Sequence, residues 1–140
     1  MEKYGFYMIS KSFQDVMHSE LLTVFYELIN RRHTTEFAQN QISKLIEPLD
    51  VESMKKLLIT KFQSCNNFSI SNTGSFCLEG NISNSKEEMY LNPNKITLTW
   101  SSGSSRFFDF LALYYPKLVA IDEIKGEIIE LSLVKPVNIS

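Results

Sequence analysis

Between Phe13 and Ile29 the apolar positions fall at steps of three and four: Phe13, Val16, Met17, Leu21, Val24, Phe25, Leu28 and Ile29. That spacing follows the turn of an α-helix and draws one apolar stripe along residues 12–32. Ser12 with Asp15 three residues on has the form of a capping box, and Arg31 and Arg32 suit the negative end of the helix dipole. A second helix is expected over 35–47, with Thr34 as its cap and Phe37, Ala38, Ile42, Leu45 and Ile46 facing inward. Pro48 stops it by forcing the preceding residue out of the helical region. Asp50 can cap a third helix over 51–63, which turns Met54, Leu57, Leu58, Ile59 and Phe62 inward and Lys55, Lys56 and Lys61 outward.

After Ser64 the apolar period drops to two, and Asn, Ser, Thr and Gly become frequent. "FSI" and "SFCLEGNI" flank "SNTG", a hairpin turn that brings Phe68 and Ile70 beside Phe76 and Leu78. "KEEMYL" is a further strand ended by "NPN", and "KITLTW" alternates Ile96, Leu98 and Trp100 with Lys95, Thr97 and Thr99. "KLVAIDEIKGEIIELSLV" reads as two strands around Lys125-Gly126, with Ile129, Leu131 and Leu133 alternating to the end. One apolar face per strand implies an antiparallel sheet covered on one side. The expected fold is therefore α+β: three N-terminal helices on one face of a mainly antiparallel sheet of five to six strands, with one helix inserted before the last hairpin. A helical layer over 10–63 and a β-rich layer over 67–135 read as one domain spanning 1–140.

The inserted helix, over 105–115, is unusual. Phe107, Phe108, Phe110, Leu111, Leu113, Tyr114 and Tyr115 surround its axis, which marks a helix central to a core or one partly facing a partner. It follows the cluster "TWSSGSSRFF", where a strand, a Gly-containing turn and a helix start come in the order of a phosphate cradle. Neither a P-loop nor a dinucleotide-binding pattern is present, and Ser104 or Ser105 is explained more simply as a helix N-cap. Ser102, Gly103, Ser104, Ser105 and Arg106 are the residues an anion site here would use.

Composition narrows the function classes. The chain is 44% hydrophobic and 21% charged, with a formal net charge of -2, so the basic excess of a general nucleic-acid binder is missing. The acidic surplus lies wholly in residues 64–140 and gathers at the last turn as Asp122, Glu123, Glu127 and Glu130. No apolar run is long enough to span a membrane, and "MEKYGFYMISKSF" has no cleavage site of the secretory type. Two cysteines, Cys65 and Cys77, suit neither a disulfide framework nor a zinc site, so a cytoplasmic location is expected. His18 and His33 have no ligand-spaced or catalytic companions, and no metal or cofactor is expected.

These features point to a non-catalytic binding or inhibitory protein that acts through protein–protein contact. An immunity-type protein covering the basic active site of a toxin belongs to this class by analogy. The expected partner is another protein with a basic surface, met by Asp122, Glu123, Glu127 and Glu130 or by the aromatics Phe107, Tyr114 and Tyr115. The alternative is a small enzyme or ligand-binding domain with its site between sheet and helices near Ser101–Arg106.

Overall fold

A computed structural model describes residues 1–10, 44–80, 85–101 and 103–133, together with Glu27 and Asn40. It is dominated by one antiparallel sheet of eight strands. The strands are β1 (Glu2–Ile9), β2 (Ile46–Glu47), β3 (Phe68–Ile70), β4 (Phe76–Glu79), β5 (Lys86–Asn92), β6 (Lys95–Trp100), β7 (Leu118–Asp122) and β8 (Glu127–Glu130). Their order across the sheet is β3-β4-β5-β6-β1-β7-β8, with β2 also paired to β1. Two helices of the described residues, α1 (Val51–Phe62) and α2 (Arg106–Tyr114), accompany them.

This corrects the expected architecture of three N-terminal helices on five or six strands. The chain opens with a strand, and β1 lies at the centre of the sheet between β6 and β7. It escapes pattern recognition because both of its faces are apolar: Phe6 is buried on one side, Tyr7 and Ile9 on the other. Ile46 and Glu47 end the expected second helix early, because they pair with Ile9 and Met8 of β1. The helices expected over 12–32 and 35–47 otherwise lie outside the described residues, apart from Glu27, Asn40, Lys44 and Leu45, which are helical.

Local signals account for the rest. Asp50 caps α1, its Oδ1 accepting from the Ser53 amide at 3.2 Å and its Oδ2 from the Ser53 hydroxyl at 2.8 Å. Met54, Leu58 and Phe62 form the buried side of α1. The "SNTG" turn closes through Gly74, whose φ of 88° is open to glycine, and sets Phe68 opposite Leu78 and Ile70 opposite Phe76. α1 and α2 meet through aromatic side chains. Phe62 at the end of α1 meets Phe107 and Phe110 of α2, while Tyr115 beyond α2 shares a depression with Asp50 and Met54. Together they cover Phe6, Phe76, Met89, Ile96, Leu98 and Ala120 on one face of the sheet.

The opposite face is not bare. Tyr7, Ile9, Val119 and Ile121 are buried there, which corrects the expectation of a sheet covered on one side only. Near them Gly5 leaves room for an ion pair to cross the strand: a methyl group at this position would stand 2.7 Å from Lys95 Cε and 2.9 Å from Glu123 Oε1. The final strand also stops sooner than alternation suggests, since Leu131–Leu133 turns into a short 3-10 helix that buries Leu131.

Candidate functional site

The Ser/Gly cluster joins β6 to α2. Trp100 ends the strand and its indole N–H donates to the Gly103 carbonyl at 2.8 Å, holding the turn closed. Gly103 has a φ of 75°, the left-handed conformation that such a reversal needs. Ser105 then caps the helix, its Oγ accepting from the Phe108 amide at 3.0 Å. The remaining donors converge on a carboxylate, as in an anion cradle, but that carboxylate belongs to the protein. Glu87 of β5 accepts from the Ser105 hydroxyl at 2.5 Å and the Phe107 amide at 3.1 Å through Oε1, and from the Arg106 amide at 3.0 Å through Oε2. The helix dipole favours the same negative charge.

Sequence reasoning passed over Glu87. Its signal was phase: in "KEEMYL" it shares a strand face with Met89 and Leu91, so alternation aims an acid at the helices. Asp109, on the first turn of α2, is pushed above the usual carboxylate range by burial and by the charge of Glu87. Arg106 turns away from this cradle. Its guanidinium lies over the Phe62 ring at 5.3 Å and donates to Cys65 Sγ at 3.4 Å. Beside it is a polar depression of about 340 Å³, lined by Asn67, Ser85, Lys86, Ser101, Ser104 and Arg106 among others. Ser102 lies outside the described residues.

The four acids of the last hairpin separate by role. Asp122, expected among the acids that meet a partner, is wholly buried instead, because it builds the turn. Its Oδ1 accepts from the amides of Ile124 at 3.0 Å and Lys125 at 2.9 Å, and its carbonyl from Gly126 at 2.8 Å. The second oxygen, Oδ2, is buried outside any well-formed hydrogen bond, and the Tyr4 phenol is the side chain that couples to this carboxylate. Glu123 is tied to the far face of the sheet by Lys95 at 2.5 Å and Lys3 at 3.5 Å. Burial alone would raise the Glu123 carboxyl, but the two lysines outweigh it and hold the group below its ordinary range. Glu127 is exposed and Glu130 half-buried.

The aromatic candidates separate too. Phe107 is entirely buried against Phe62, so it serves the core. Tyr114 is 36% exposed and Leu113 beside it 42%, while Tyr115 is half-buried. Burial raises the Tyr115 phenol, and the charge of Asp50 raises it further. Lys61 lies over the Tyr114 ring at 5.2 Å. Tyr4, which the sequence did not single out, stacks on Trp100 with centroids 5.2 Å apart and meets Phe108 edge-on at 5.5 Å.

Other reactive groups are engaged internally. Cys77 is buried, with its Sγ 3.7 Å from Glu88 Oε2, and the Ser75 hydroxyl donates to the same oxygen at 3.0 Å. His18 and His33 lie outside the described residues. Among the described residues no three His, Cys, Asp or Glu side chains are grouped to hold a metal ion, and no helix is long and apolar enough to cross a membrane. The chain matches no protein-family model and no curated protein.

Proposed function

We propose that this is a non-catalytic binding protein that works through protein–protein contact. The observation that carries the reading is α2. Its inner side is complete, with Phe107, Phe110, Leu111 and Ala112 buried, yet Leu113 and Tyr114 remain open to solvent at its C-terminal end. Apolar and aromatic side chains presented on a rigid helix are the anchors that interfaces use. The groups with chemical potential support the same reading: Glu87 closes the anion cradle, Glu123 is paired, and Cys77 is packed beside Glu88. Inhibition by covering a basic site on the partner is the form of binding that suits the acidic C-terminal half.

A second reading rests on the depression beside Arg106, where Lys86, Arg106 and three serines could receive a small anionic ligand against the Glu79 and Glu87 that share its lining. The two are separated by two measurements on one preparation. Tagged protein recovered from its native host should hold a stoichiometric partner that the double variant Leu113→Glu, Tyr114→Glu releases while its melting temperature stays near that of the parent. Phosphate and nucleotides should leave the melting temperature unchanged. Recovery of a free monomer, together with a dose-dependent rise in melting temperature on adding phosphate or a nucleotide, would overturn the reading in favour of the second.

A further inference from the structure

Strand alternation sorts the charges at one end of the sheet. On the helix-covered face, Glu87, Trp100 and Glu2 stand in one cross-strand row, and Leu98, Tyr4, Asp122 and Glu127 in the next. The lysines of the same strands point the other way, where Lys3 and Lys95 meet Glu123. The result is an acidic margin with an aromatic floor: Tyr4 stacked on Trp100, and Phe108 edge-on to both at 5.5 and 6.1 Å. Asp122 lies beneath it, fully buried, its carboxylate coupled to the Tyr4 phenol. These groups register on Tyr4, whose phenol is pushed up to about 12 by burial first, then by the charge of Asp122 and a side-chain hydrogen bond to it, and then by Glu2 and Glu127.

We infer that this margin, with Glu2 and Glu127 at its rim and Tyr4 and Phe108 between them, is a contact surface for the arginine and lysine side chains of a basic protein partner. The inference rests on the reading of the chain as a protein-binding protein and names the chemistry of what it binds. A guanidinium lies flat on aromatic rings and pairs with carboxylates, so both halves of the surface favour it. A single metal ion does not fit, since among the described residues no three acidic side chains are grouped closely enough to share one. Neighbouring strands are about 4.8 Å apart, so carboxylates spread over several strands suit several separate cations. The same field repels nucleic acid and anionic lipid. Asp122 is too deep to touch a partner; its carboxylate lies beneath the margin and couples to the Tyr4 phenol.

The test is direct binding of a nona-arginine peptide at low salt, followed by the fluorescence of Trp100, the one tryptophan of the chain. The peptide should change that signal saturably. The double reversal Glu2→Lys, Glu127→Lys should raise its Kd about tenfold without lowering the melting temperature. Salt that shortens the screening length to about 8 Å or less should weaken binding as well. Leu113→Glu, Tyr114→Glu should leave the peptide affinity unchanged. A Kd within twofold of the parent after the double reversal, or equal binding of nona-glutamate, would overturn the inference. A native partner lost on changing Leu113 and Tyr114 but indifferent to the reversal also overturns it, while the protein-binding reading survives.

Discussion

Two turns in this molecule each rest on a carboxylate, and they do so differently. At the start of α2, Glu87 reaches across from β5, a strand eighteen residues away from Ser105 in sequence, and both of its oxygens accept from the joint. At the β7–β8 turn, Asp122 acts on its own neighbours two and three residues on, and both amides are held by one of its oxygens. The first is a long-range contact that neutralises a helix terminus; the second is a local turn whose buried carboxylate also reaches the Tyr4 phenol. A satisfied carboxylate belongs to the architecture. One buried beneath the half-buried Glu2, Tyr4 and Phe108 and the exposed Glu127 adds its charge to a margin that a cation can reach.

The largest expected effect follows from emptying the first joint. Glu87→Ala removes the acceptor for two amides and a hydroxyl and should cost about 3 kcal/mol of stability. It should also expose a vacant cradle, so that phosphate raises the melting temperature of the variant and not of the parent. Denaturant unfolding with and without phosphate measures both. A loss below about 0.5 kcal/mol would mean that water replaces Glu87 easily and that the two turns do not differ as described.

The two turns also differ in how far the sequence discloses them. Asp50 and Ser105 are visible as caps because capping is local: an oxygen three residues before an amide. "KITLTW" and the "SNTG" hairpin are visible because one face of each strand is apolar and the glycine sits where the chain reverses. β1 is not, since burial on both faces erases the alternation, and its partners β6 and β7 come from the other end of the chain. Glu87 was legible only as an acid in phase with Met89. Asp122 misled for the opposite reason. Acids near a Gly turn are usually solvated, but here the side chain folds back onto the amides of its own turn. Phe107 and Tyr114 were equivalent in sequence, and only the packing of α1 against α2 buried the first and left the second exposed.

A smaller effect is expected at the second joint, and its sign depends on the substitution. Asp122→Ala leaves the Ile124 and Lys125 amides without their acceptor and should cost about 2 kcal/mol. Asp122→Asn keeps an oxygen for those amides and removes the buried charge, so its stability should lie within about 1 kcal/mol of the parent. If both variants lose the same amount, the charge itself holds the turn and Oδ2 is better accommodated than its surroundings indicate. If Asp122→Asn is neutral but weakens nona-arginine binding, the carboxylate is there for its field.

Tyr4 gives the subtlest measurement, because it senses Asp122 from the neighbouring strand. Its phenol is raised from 10.0 to about 12, by burial first and then by the Asp122 carboxylate. A raised pKa in the folded state contributes stability that is complete below the unfolded value and is lost as pH rises through the folded one. Between pH 10 and about 12 the unfolded chain therefore gives up this proton before the folded chain does, and folding weakens across that window. Phenolate absorbance, taken as the difference between the parent and Tyr4→Phe, isolates this group from the other tyrosines. In Asp122→Asn the Tyr4 titration should move down in pH but remain above 10, since burial persists when the charge is gone. In Glu87→Ala it should stay where it is, because Glu87 is not among the charges that raise the Tyr4 phenol. A Tyr4 titration that ignores Asp122→Asn and follows Glu87→Ala instead would reverse the comparison, making the helix joint the source of the field at the acidic margin.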